Sequence, residues 1–268
     1  LALEYNSQDS SLDGEVHFLE LGDLYVKRAL CFPSRECRDY YERLKLLIND
    51  GFIYFLETGT RVMGFRFLGK GYSSVIVAAK SSRYGLGALK ILRSDSRRRS
   101  LLNEARIMSL AQNLELIPRL FAYRDFYIFL ELLPPGKCTP LHRVLENLVV
   151  IEDIETIRGI LTNTLRQLFR LDNIRVDHGE LNRPGGHLFY CENGRVVIVD
   201  WESARVVSKP VNLTSFASYL VFRFKYRGVL SRALNWREDK IISALRVYKS
   251  TYSSSDFSSV LSALGLEQ

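Results

Sequence analysis

The chain has no run of apolar residues near the roughly 18 to 20 that a bilayer span requires, and Leu1 to Tyr5 show no basic segment leading into an apolar one. These absences lead us to expect a soluble, cytoplasmic protein with no membrane partner. Cysteine is scarce and scattered. Cys31, Cys37, Cys138 and Cys191 form no C-x-x-C pair and have no histidine at zinc-ligand spacing. That argues against a zinc site and a disulfide framework, and the expectation is four buried thiols. No internal repeat is visible.

What is present is the composition of a chain that folds. Apolar residues make up 47% and charged residues 25% of the sequence, so disorder, collagen-like repeats and coiled coil are poor accounts of it. The 268 residues suffice for one large domain or two modest lobes. Lysine and arginine total 37 against 30 acidic residues, a formal charge of +7, which favours polyanionic partners, nucleic acid first.

Periodicity divides the chain. The stretch from Ser34 to Asp50 predicts a helix capped by Ser34, with Cys37, Tyr40, Tyr41, Leu44, Leu47 and Ile48 on its apolar face and Arg35, Arg38, Arg43 and Lys45 on a solvated one. Strands are predicted at 62–68, 75–79 and 86–92, the first two forming a hairpin with a glycine-rich turn. A helix follows over 100–113, then strands at 119–123 and 127–132. Pro134-Pro135-Gly136 breaks the pattern. Beyond it, helices at 141–148 and 154–171, short strands at 188–191 and 196–199, and a mostly helical end from Leu213 are expected. Strands early and helices late predict an α+β fold in two lobes. Residues 1–60 form an extension carrying the first helix, residues 61–133 a β-rich lobe, and residues 134–268 a helical lobe.

Three places invite chemistry. Gly69-Lys70-Gly71-Tyr72-Ser73-Ser74 lies between strands, where glycine lets a polyphosphate approach the backbone. The G-x-x-x-x-G-K spacing of Gly64 to Lys70 does not make a Walker-type loop, because residue 71 is Gly and a strand follows where a helix is required. Lys90, inside the apolar strand Ala88 to Leu92, costs several kcal/mol of desolvation unless an anion meets it, roughly the penalty of a buried unpaired charge. Glu104 on the next helix, or a phosphate, can supply that anion. The third place is the polar loop Asp177-His178-Gly179-Glu180-Leu181-Asn182, followed by Asp200 at the end of an apolar strand, where a carboxylate can project toward a metal.

Taken in order, these elements resemble the protein-kinase-like fold over about residues 61–205: a G-x-G between strands, A-x-K, a helical Glu, a strand into a Pro/Gly hinge, an H-G-(D/E)-L loop and I-x-D. The resemblance implies two lobes, the second short and mostly helical, with ATP and Mg²⁺ as cofactors. It implies that Gly69, Lys70, Gly71, Ser73 and Ser74 cover the phosphates. Lys90, held by Glu104, would contact the α- and β-phosphates, and Glu131 and Leu133 would border the nucleotide before the hinge. Glu180 stands where the family has its catalytic Asp, and Asp200 would bind magnesium. Where the family's metal-ligating Asn falls, this chain has Gly185. His187, just before the strand at Leu188, is the favoured replacement, and Asn182 is the competing ligand.

Asp200-Trp201-Glu202 is similar to the corresponding motif of aminoglycoside and choline kinases, and no A-P-E sequence or activation segment follows. Residues 201–268 hold ten basic residues against five acidic ones. Arg223, Lys225 and Arg227, interleaved with aromatics in Phe222 to Arg227, and nearby Arg232 form a candidate RNA-binding run. The H-G-E-L-N-R-P loop with D-W-E-S-A also resembles a group of archaeal predicted Ser/Thr kinases, some of which look like the archaeal kinase of a tRNA ribose 2′-hydroxyl. The resemblance thus implies an RNA kinase acting on tRNA. The alternatives are an atypical Ser/Thr protein kinase with a protein substrate, a small-molecule kinase, and a non-catalytic pseudokinase scaffold.

Overall fold

Largely buried apolar strands between residues 15 and 131 pair into a seven-stranded antiparallel sheet with a separate two-stranded hairpin, and helices predominate after residue 141. The computed structural model describes residues 13–133 and 136–267. Residues 1–12 and two prolines of the expected breaker, Pro134 and Pro135, lie outside the described residues. The fold is α+β, and the chain divides into two compact units, residues 1–106 with 118–136 and residues 107–117 with 137–268.

In the first unit β1 (Glu15–Phe18) is followed by helices α1 (Leu24–Leu30) and α2 (Tyr40–Asn49) and by β2 (Phe52–Glu57). Then come β3 (Thr60–Val62), β4 (Phe65–Phe67), β5 (Gly69–Lys70), β6 (Ser74–Ser81) and β7 (Gly85–Leu92). The first turns of α3 (Leu102–Ala111) belong to this unit, as do β8 (Leu120–Tyr123) and β9 (Tyr127–Glu131). Seven strands form the sheet in the order β1-β2-β6-β7-β9-β8, with β5 on β6. Of the stretch set apart by sequence as an extension, β1 and β2 are therefore part of the sheet.

The strand expected over 62–68 is split. Met63 and Gly64 both take positive φ, 52° and 96°, and turn the chain so that Val62 faces Phe65 in a separate hairpin. Two central residues at positive φ define a type I′ loop, which Asn-Gly announces and Met-Gly does not. The helix expected over 34–50 begins only at Tyr40, so Ser34 does not cap it. Arg43, expected on a solvated face, is buried. Its Nη1 donates to the carbonyls of Leu30 and Leu92, both at 2.8 Å, and its Nε to Asp39 at 2.6 Å. Ile48 and Tyr41, expected on the apolar face, are exposed.

The second unit holds the rest of α3, β10 (Cys138–Pro140), α4 (Leu141–Val150), α5 (Ile154–Asn173), β11 (Val176–Asp177), β12 (Leu188–Cys191), β13 (Val196–Ile198) and β14 (Arg205–Val206). It ends in α6 (Asn212–Phe222), α7 (Arg227–Ala233), α8 (Glu238–Thr251) and α9 (Ser254–Ala263). Asp153 caps α5 by accepting from the Thr156 N–H, and Ile157, Leu161, Leu165 and Leu168 make its buried stripe. The serine-rich stretch after α8 supplies Ser253, which caps α9.

The expectation of four free thiols is overturned. Cys31 is bonded to Cys37, bridging the turn between α1 and α2, and Cys138 to Cys191, which face each other across the β10–β12 pair. The second pair is separated by 53 residues, so only strand register brings it together. No helix among the described residues is long and apolar enough to cross a membrane.

Candidate active site

In the first unit Lys90 occupies a buried position of β7, and α3 places Glu104 beside it. The Nζ to Oε1 distance is 2.6 Å, with 5% of Lys90 and 3% of Glu104 exposed. The pair satisfies a charge that the strand alone could not hold. Arg98 approaches the other Glu104 oxygen at 3.8 Å. The glycine-rich turn joins β5 to β6. There the Gly71 N–H donates to the Ser74 carbonyl at 2.9 Å, and Arg93 Nη1 to the Gly71 carbonyl at 3.1 Å.

Neither Gly69 nor Gly71 has a left-handed φ, and a Cβ on either would come no closer than 3.4 Å to another atom. The backbone does not itself demand glycine at these two positions. Lys70 is exposed, whereas Ser73 and Ser74 are buried, and their carbonyls already accept from the Arg93 and Gly71 N–H groups, both at 2.9 Å. Glu131 pairs with Gly87 across β7–β9, accepts from the Arg119 N–H at 3.0 Å, and is half-buried like Leu133.

The second unit gathers the polar loop. Gly179, at φ +88°, lies where a Cβ would meet the Ser203 carbonyl at 3.1 Å, so the chain needs glycine to pass that point. Next in sequence, Glu180 is gripped from two sides: His187 Nε2 stands 2.9 Å from its Oε2, and the Ser203 hydroxyl donates to its Oε1. The carboxylate, half-exposed, is the middle member of this trio. In a nucleophilic serine triad the imidazole would be the middle member, so that chemistry does not fit.

Asp200 ends β13's run with a left-handed backbone, φ 61° and ψ 74°, an uncommon conformation for a residue other than glycine. Its side chain is exposed. The turn that follows is anchored by Trp201, which is buried and donates Nε1–H to the Ile198 carbonyl at 3.0 Å. Among the described residues Asp200 and His187 do not belong to a group of three His, Cys, Asp or Glu side chains at ligand spacing; such a group is Glu15, His17 and Glu57 in the first unit. Asn182 is exposed, and its carbonyl accepts from Arg223 Nη1 at 3.2 Å.

Residues to which sequence alone assigned no role of their own support this loop. His178 is fully buried. Its Nε2 donates to the Val199 carbonyl at 3.2 Å, and its ring meets Trp201 edge to face at 5.2 Å. Burial, and then the nearby charge of His187, push its pKa down to about 4, so the ring is neutral. Asn212 links the loop to the bundle: its Oδ1 accepts from the His178 N–H at 2.8 Å, and its Nδ2 donates to Asp172 at 2.8 Å and to the Val176 carbonyl at 2.6 Å. Asp172 also accepts from Tyr248 at 2.8 Å. Burial raises its pKa to about 6 against these hydrogen bonds. A buried acid and a buried imidazole near one loop were invisible in sequence, since neither residue type signals its own burial.

Of the candidate RNA-binding run, Phe224 is core, while Arg223, Lys225 and Arg227 are exposed. Arg223 borders an open groove of about 550 Å³ on the second unit with Asn182, Tyr219, Phe222, Arg246 and Lys249. Lys225, Arg227 and Arg232 do not line it. Comparison of the chain with known protein families and with curated proteins finds no match.

Proposed function

We propose that this chain is an ATP-dependent phosphotransferase of two-lobed, protein-kinase-like design, acting on a hydroxyl acceptor, with an RNA ribose 2′-hydroxyl, as in tRNA, the leading acceptor. The observation that carries the reading is the Glu180 carboxylate, half-exposed, held by His187 and already receiving a hydroxyl hydrogen from Ser203. A carboxylate so placed accepts the proton of an attacking O–H. The acceptor oxygen bonds to the γ-phosphorus, the bond from that phosphorus to the bridging oxygen breaks, ADP leaves, and the proton passes to Glu180. The buried Lys90–Glu104 pair supports the reading as the phosphate-contacting cation and its holder.

Magnesium favours oxygen ligands. Asp200, exposed at a strand end, and the amide oxygen of Asn182 suit it by donor type. His187 fits less well, because its Nε2 faces Glu180 at 2.9 Å. In this reading His187 positions the base. When bound, the ion neutralises charge developing on the phosphates.

A second reading, transfer to a protein serine or threonine, is favoured by Ser203, which shows that a seryl hydroxyl reaches Glu180. The experiment offers radiolabelled ATP, magnesium, tRNA and a generic protein together. Label in the RNA alone supports the first reading and label in protein alone the second. No transfer to any acceptor, or undiminished transfer by Asp200→Ala, overturns the assignment.

A further inference from the structure

The cations that face one another on the second unit are not those that lie together in sequence. Arg246 and Lys249, one turn apart on α8, share a groove with Arg223 at the end of α6. All three are exposed, and among the described residues no acidic one lines the groove, although the Glu146 carboxylate lies close enough to act on the phenol of Tyr219 in its wall. Phe222, 44% exposed, and Tyr219 present aromatic surface between them. Asn182, two residues beyond Glu180, forms part of the wall and is tied to Arg223 by a 3.2 Å hydrogen bond. The groove thus continues from the loop that carries the proposed base.

We infer that this groove binds an unpaired RNA segment and guides it to Glu180. Phosphodiesters supply the negative charge that these three cations call for, and bases supply flat faces for Phe222 and Tyr219. An acidic peptide would match the charge but leave the aromatic faces without a stacking partner. The volume of about 550 Å³ is that of a small-ligand pocket, sized for unpaired nucleotides. That the bound strand is the acceptor rests on the function proposed above; that a strand binds here does not.

The test measures binding of fluorescent poly(U) to the full chain, without ATP, as a function of salt. Arg246→Ala/Lys249→Ala should weaken binding and reduce the slope of log affinity against log salt by roughly 1.4, about 0.7 for each lost single-strand phosphate contact. Arg35→Ala/Arg38→Ala, an equal loss of charge on exposed residues of the first unit, should leave the slope in place. The same loss with both variants, or with neither, overturns the inference. So does displacement of poly(U) by polyglutamate or by phosphatidylserine vesicles as effective as displacement by unlabelled poly(U). Groove-dependent binding by a protein that never transfers phosphate would retain the groove and remove the kinase. Phosphate transfer to RNA unaffected by the α8 substitutions would do the reverse.

Discussion

Lys90 and Glu104 meet at 2.6 Å with both side chains closed to solvent. Removing Lys90 takes away the buried partner of Glu104 and leaves Arg98 at 3.8 Å as a more distant counter-charge, so Lys90→Met should cost about 3 kcal/mol of stability, the lower end for a broken buried pair. Lys90→Met with Glu104→Leu removes both charges and should recover most of that loss in urea melts. If Lys90 contacts phosphates, ATP binding stays lost in the double variant despite restored stability. Retention of wild-type ATP affinity by the double variant would reduce the pair to a packing device.

Glu180 is half-exposed, accepts from the Ser203 hydroxyl and has His187 Nε2 2.9 Å from its other oxygen. Glu180→Gln keeps size and polarity but is a far poorer proton acceptor. Phosphate transfer should fall by roughly 10²–10⁴-fold, the usual worth of a general base, with melting temperature and ATP affinity unchanged. Equal activity in the glutamine variant would show that the carboxylate takes no proton.

Asp172 and His178 pull the pH dependence of stability in opposite directions. Asp172 has its folded pKa raised to about 6, so its contribution is fully present below the unfolded value near 4 and is lost as pH rises through 6. His178 has its folded pKa depressed to about 4, so its contribution is present above the unfolded value near 6.5 and is lost as pH falls toward 4. Each of these displacements corresponds to about 3 kcal/mol. Between pH 4 and 6 the slopes oppose each other in the wild type. Asp172→Asn should therefore make stability rise steeply with pH across that window, and His178→Gln should make it fall. Denaturant titrations at several pH values read both slopes directly; parallel curves for the two variants would contradict these assignments.

The disulfides make a separate prediction. In denaturant without reductant no thiol should react, and after reduction all four cysteines should. By loop length, with separations of 6 and 53 residues, the two bridges should contribute roughly 2 and 4 kcal/mol. Reduction should therefore lower the melting temperature, and Cys138→Ser/Cys191→Ser more than the corresponding change at Cys31 and Cys37. Thiols that react before reduction would contradict the pairing.

Local pattern determined a good part of this protein. The run into Lys90 is a strand because its apolar neighbours leave no helical face, and Glu104 is helical by period. The loop around Glu180 and the strand before Asp200 announce themselves by residue type. These features depend on a few adjacent residues, and side-chain period and turn chemistry act at that range.

Tertiary structure decided the rest, because it depends on which distant segments meet. Strand register, not spacing, joins Cys138 to Cys191. Two backbone carbonyls brought together from Leu30 and Leu92 make burial tolerable for Arg43, which the sequence places on a polar face. Glu180 acquires its Ser203 contact because buried Trp201 anchors the turn after Asp200. The cationic groove takes Arg246 and Lys249 from a helix that no motif marked, and omits three of the four cations that lay together in the chain. A charge's neighbours in space are set by helix packing, and the order of residues along the backbone carries little of that information.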